Sequence, residues 1–150
     1  MNHNAKAALV DSLNGLLADL FTLYLKTKNF HWHVKGPQFR ELHLLFDEQA
    51  AQIFALTDIV AERVRKNGAA TLAGIGAIAA KSALADEPAT DLAAEAMIAQ
   101  LMADNTQLVA RIRAVKQAAG EANDNATEGF ADDWTDQAET RVWFLSQLLA

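Results

Sequence analysis

Apolar side chains recur along the chain at spacings of three and four residues, the period of helices, and no segment shows the strict alternation of a half-buried strand. Leu9, Leu13, Leu16, Leu20, Phe21 and Tyr24 form one stripe of a first long helix, predicted from about Lys6 to Val34. Gly36-Pro37 ends it, because proline lacks the amide hydrogen that a continuing helix needs and biases the preceding residue out of helical geometry. A second helix, from about Phe39 to Lys66, carries Leu42, Phe46, Ile53, Leu56, Val60 and Val64, and Asn67-Gly68 supplies its stop. Between Thr71 and Leu84 the residues are small and apolar and are interrupted by Gly74 and Gly76, which reads as a crossover containing a short helix. Asp86-Glu87-Pro88 has the form of a helix start, with acids near the positive end of the dipole and proline in the first turn. The third long helix is expected from there to about Ala119, with Ile98, Leu101, Leu108, Ile112 and Val115 inward. After a turn over 120–125, a fourth helix turns Phe130, Trp134, Val142, Leu145 and Leu148 to the core. The pattern predicts an all-α fold in one domain spanning 1–150: a four-helix bundle whose two helix pairs are joined by a long crossover between the second and third helices.

Composition narrows the chemistry. Cysteine is absent, which excludes disulfides and thiolate metal sites, so any metal must be held by imidazole and carboxylate. No apolar run approaches the ~20 residues of a membrane span, and the start, Met1 to Lys6, has no basic cluster followed by an apolar run. A cytoplasmic protein with no membrane partner is expected. The formal net charge of −6 is expected to repel nucleic acid and anionic lipid.

The second helix carries more than a core stripe. At ~100° per residue, Leu42, Phe46, Ile53 and Val60 cluster on one face. His43, Asp47, Asp58 and Glu62 share a different face, interspersed with Ala50, Ala51, Phe54 and Ala61, while Glu41, Glu48, Gln52 and Lys66 mark a third. A helix of this kind is buried twice, once in its own bundle and once against another body. His43 with Asp47, and Asp58 with Glu62, are i,i+4 pairs whose side chains can converge on one ion. Imidazole with carboxylate suits iron or manganese.

Asp47 and Asp58 lie about 16 Å apart along a helix, too far to share a metal held near ~2 Å. Both pairs can meet if the helix faces a second, antiparallel copy of itself, where facing residues have numbers with a constant total. His43 with Glu62 and Asp47 with Asp58 share the total 105, so one two-fold axis near Gln52 and Ile53 serves both. His31, at the end of the first helix, is placed to reach back toward His43. His33, two residues on, points to a nearly opposite side.

The run Asn29-Phe30-His31-Trp32-His33-Val34-Lys35-Gly36, then Leu42-His43, Phe46-Asp47-Glu48, Asp58 and Ala61-Glu62-Arg63, resembles the Dps family of mini-ferritins. The motifs span residues 29–66, and the helical plan, that of ferritin-like proteins, extends the likeness over nearly the whole chain. In that family the positions matching His31, His43, Asp47, Asp58 and Glu62 form a ferroxidase centre between subunits. The resemblance implies a twelve-subunit cage that oxidises Fe2+, with H2O2 usually favoured over O2, and mineralises Fe3+, protecting against oxidative damage. No Glu-x-x-His pair occurs, the mark of di-iron centres inside ordinary ferritin bundles.

Two features depart from or extend the family pattern. Relatives that bind DNA commonly use a Lys- and Arg-rich tail, whereas here only Lys6 is basic before the first helix, so DNA binding is not expected. Acids near the start of the last helix line a cation pore in related cages, and Asp132 and Asp136, one turn apart, are the candidates here. A helix dipole would also attract acids to this end with no function at all. Two other readings compete with an iron store: a nucleoid-compacting protein with an incidental metal site, and a structural helical oligomer with vestigial acids.

Overall fold

The computed structural model describes residues 3–150 and, among them, contains five helices and no strand. They are α1 (His3–His33), α2 (Phe39–Lys66), α3 (Ile75–Lys81), α4 (Ala94–Glu121) and α5 (Asn125–Leu148). α1 packs along α2 and α4, and α5 along α4, giving two antiparallel pairs joined by the crossover that holds α3. Leu9, Leu13, Leu16 and Leu20 from α1 meet Leu42, Phe46, Ile53, Val60 and Val64 from α2, Leu101, Leu108 and Ile112 from α4, and Trp134 and Leu145 from α5. α1 is long and apolar enough to cross a membrane by length and composition, but its apolar stripe is packed inside the bundle.

The start of the third long helix differs from the sequence reading. Asp86-Glu87-Pro88 does not begin a helix; α4 begins only at Ala94. The Glu87 and Ala89 carbonyls instead accept hydrogen bonds from Asn29 Nδ2 at 2.7 and 3.1 Å, and the Glu87 carboxylate accepts from Gln100 Nε2 at 2.8 Å. The segment is a strap tied across the end of α1, an attachment between residues nearly sixty apart that local helix signals cannot report. Phe130 also departs from expectation: it is 41% exposed, and Val142 is only partly buried. The inward positions of α5 are taken by Ala131, Trp134, Ala138, Arg141 and Leu145.

A buried carboxylate also fastens the crossover to α1. Asp19 accepts from the Ala83 amide at 2.7 Å and from Arg111 Nε at 3.0 Å. Gly15, one turn earlier, leaves the space this arginine uses, since a Cβ there would lie 2.8 Å from Arg111 Nη1.

Candidate metal centre

Gly36, at φ +114°, is where α1 turns into α2, and the turn sets two histidines face to face. Because α1 stops at His33, the carbonyl of His31 has no helical amide to serve. It accepts from His43 Nδ1 at 2.7 Å, and His31 Nδ1 donates to the His43 carbonyl at 2.6 Å. A carbonyl can only accept, so both Nδ1 atoms carry hydrogen and both Nε2 atoms are left as potential metal ligands. The rings stack with centroids 3.9 Å apart, and Phe39 covers the other face of His43 at 5.1 Å.

Asp47 stands beside this pair, with Oδ1 3.7 Å from His31 Nε2 and 2.8 Å from Lys28 Nζ. The hydrogen bond from Lys28 holds the Asp47 carboxyl below its ordinary range, with smaller help from the two histidines. Lys28 also lies 5.8 Å from the centre of the Trp32 ring. Sequence reasoning missed Lys28 and Phe39 as members of this cluster. Their spacing was available, since Lys28 is one turn before His31 and Phe39 one turn before His43.

Asp58 and Glu62 form a second group further along α2. A hydrogen bond that only a protonated Glu62 can donate to the Asp58 carboxylate, together with the like charge of Asp58, pushes the Glu62 carboxyl above the usual range, and both side chains are exposed. Two neighbouring carboxylates repel one another, and a cation between them would relieve that repulsion. The two groups do not meet within one chain. Among the described residues, no three His, Asp or Glu side chains gather closely enough to hold a metal ion.

Between them the same face of α2 presents Ala51, Ala55 and Phe54, the last 51% exposed and in ring contact with Tyr24 at 4.9 Å. Leu44 and Trp32 are likewise more than half exposed. His33 takes no part in the His31–His43 contact: its Nδ1 donates to the backbone and side-chain oxygens of Asn29, the residue that ties down the strap.

The bundle interior is a poor site for a cation. Lys26 is buried in an ion pair with Asp104 at 2.8 Å. Arg141 is 1% exposed, donates to Asn105 Oδ1 at 2.7 Å and has no carboxylate partner among the described residues. Burial pushes its guanidinium down to about 10. The buried charges are thus cations, or acids already paired with one, and the His31–His43–Asp47 group and the Asp58–Glu62 pair lie on the outside of the bundle. Of the two pore candidates, Asp132 pairs with Lys116 Nζ at 2.5 Å, while Asp136 is exposed on the same face one turn later.

A bundle of this topology, with a histidine and carboxylates set along its second helix and a further histidine at the end of its first, defines a ferritin-like protein, and the ferritin-like domain family matches residues 10–150. The chain is 33% identical over 137 residues to the DNA protection during starvation protein of Brevibacillus brevis, covering 91% of each. It superposes on antigen TpF1 from Treponema pallidum with a TM-score of 0.95 at 29% identity, covering 99% of this chain and 95% of that one. A Dps protein from Bacillus brevis gives the same TM-score at 29% identity, with both chains fully covered. The chain belongs to the Dps family.

Proposed function

We propose that this protein is a ferroxidase and iron store whose reactive centres are completed by pairs of chains. The observation that carries the reading is the split along α2: His43 and Asp47 at one end, joined there by His31 from the end of α1, and Asp58 and Glu62 at the other. An antiparallel partner in the register with total 105 would bring Asp58 and Glu62 of the partner subunit over His43, Asp47 and His31. It would also cover Phe54 and Ala51, and apolar surface of this size left bare would otherwise favour association elsewhere. The Dps resemblance extends this dimer to a dodecameric cage in the cytoplasm.

Iron enters this account as substrate. Carboxylates neutralise the dication, and the two fixed Nε2 atoms supply neutral donors suited to iron in both oxidation states. Two ferrous ions each give up one electron to one molecule of H2O2. The O–O bond breaks, two protons are taken up, and two waters leave with no hydroxyl radical released. Lys28 holds Asp47 until a metal arrives, so the unloaded site carries a cation in place of bare acids. Asp132 and Asp136 would lie on the path by which Fe2+ reaches the centres.

Protection of DNA then follows from removing Fe2+ and peroxide, the reading that the net charge of −6 favours over direct binding. The test is anaerobic Fe2+ titration of the assembled protein followed by peroxide or oxygen. Saturable Fe2+ binding of up to two ions per site, then ferric absorbance on adding peroxide, is the expected result. Absence of saturable binding would leave the structural-oligomer reading in its place.

A further inference from the structure

The face of α2 that carries the ligands does not stop at them. Continuing by three and four residues beyond His43 and Glu62 reaches Phe39 and Arg40 at one end and Arg65 at the other, with Lys66 at the edge that borders the third, solvent-facing side. All four residues are exposed. Arg65 donates through Nη1 to the Ala69 carbonyl at 3.0 Å, and none of the three cations forms an ion pair within the chain among the described residues. Lys66 is near enough to Glu62 to act on its carboxyl.

In the two-fold register, Arg40 has its number completed to 105 by the partner's Arg65, and Phe39 by the partner's Lys66. Two guanidinium groups and an ammonium are thus gathered at each end of the interface, one turn beyond the pair His43 and Glu62 of the partner subunit. Packed helices lie ~8–10 Å apart, within one Debye length at ~0.1 M salt, so these like charges repel one another. Glu41 is adjacent in sequence but lies about 100° round the helix from Arg40. Glu62 of the partner subunit is committed to iron in the reading above. The charges left over call for an anion.

We propose that inorganic phosphate binds at each end of the interface, held by Arg40 of one protomer and by the partner's Arg65 and Lys66. This rests on the two-fold reading of the iron centre. Guanidinium presents paired N–H donors that match two oxygens of a tetrahedral oxyanion, and two such forks from opposite chains can grip it from both sides. The site delivers phosphate one helical turn from where Fe3+ forms, so oxyanion and ferric product meet at the mouth of the centre. The same phosphate chemistry could be offered by a nucleic-acid backbone. Three cations in a surface of net negative charge suit a small dianion better than a polyanion.

The experiment is calorimetric titration of the assembled, metal-free protein with inorganic phosphate at low salt, for wild type, Arg40→Gln and Arg65→Gln. One phosphate per chain is expected for wild type, with affinity reduced at least tenfold in either variant. Oxidation of Fe2+ in phosphate-free buffer should be unchanged in both variants, because neither residue is a ligand, and gel filtration should show both assembled. Equal phosphate affinity in all three proteins would overturn the proposal. Gel retardation of plasmid DNA by wild type, lost in Arg40→Gln, would reassign the patch to nucleic acid and equally overturn it. Subunits mutated separately at His43 and Glu62 separate the two levels. If they complement one another while phosphate binding is unmoved by Arg40→Gln and by Arg65→Gln, only the anion site is wrong. If they fail to complement, the register beneath it is wrong.

Discussion

Replacing Asp58 or Glu62 with alanine is expected to slow Fe2+ oxidation by about two orders of magnitude while the helices and the assembly persist. Loss of a group that merely orients a metal ligand costs roughly 10- to 100-fold, so loss of a carboxylate ligand itself should reach at least the upper end of that range. The fold has little at stake. Both side chains are exposed, and surface substitutions of this kind typically stay within about 0.5 kcal/mol. Glu62→Ala also removes the like charge against Asp58. Stopped-flow ferric absorbance, with circular dichroism as the control for folding, separates the two effects. Wild-type rates with unchanged Fe2+ stoichiometry in either variant would remove that residue from the centre.

A comparably large effect on stability is expected at the junction of α2 with α5. Asp124 caps α5, accepting from the Thr127 amide at 3.1 Å and its hydroxyl at 2.6 Å, from Arg63 Nη2 at 2.7 Å and from Asn67 Nδ2 at 2.9 Å. These hydrogen bonds outweigh the cost of partial burial and hold its carboxyl far below the ordinary range. Asp124→Ala removes an N-cap, worth ~1 kcal/mol, and strands a half-buried Arg63, for a total loss of about 3 kcal/mol. Thermal melting at fixed protein concentration measures it.

The pH dependence has a definite sign. A carboxyl whose pKa is depressed by folding stabilises fully above its unfolded value near ~4, and that contribution is lost as pH falls toward the folded value. Wild type should therefore lose stability below about pH 4 more steeply than Asp124→Asn, which keeps a capping oxygen but has no charge to titrate. Parallel acid curves for the two proteins would show that Asp124 is not the group responsible.

What was legible in the sequence was whatever repeats locally. The leucine stripe of α1 and the double-faced α2 follow from helical spacing, and the Gly36-Pro37 break fixes where His31 turns toward His43. What escaped depends on partners distant in the chain. Glu87 carries helix-start chemistry, yet its backbone serves Asn29 and its carboxylate serves Gln100, so the helix waits until Ala94. Arg141 is not singled out by the sequence pattern, yet it is buried on Asn105, thirty-six residues away, and Phe130 reads as core but is partly exposed. Lys28 stands one turn before His31, a spacing open to inspection, but nineteen residues separate it from Asp47 and only the α1–α2 hairpin brings those two together.

The claim that each centre is built by two chains has one direct measurement. Subunits carrying His43→Ala and subunits carrying Glu62→Ala are dissociated, mixed and reassembled, with exchange verified by mass-tagged chains. In a mixed pair one interface site carries both defects and the other carries none. Random pairing makes half of the pairs mixed, so Fe2+ oxidation should rise from near zero in either parent to about a quarter of the wild-type rate. Activity that never exceeds the mean of the two parents, despite complete exchange, would place the whole centre within a single chain and contradict the account.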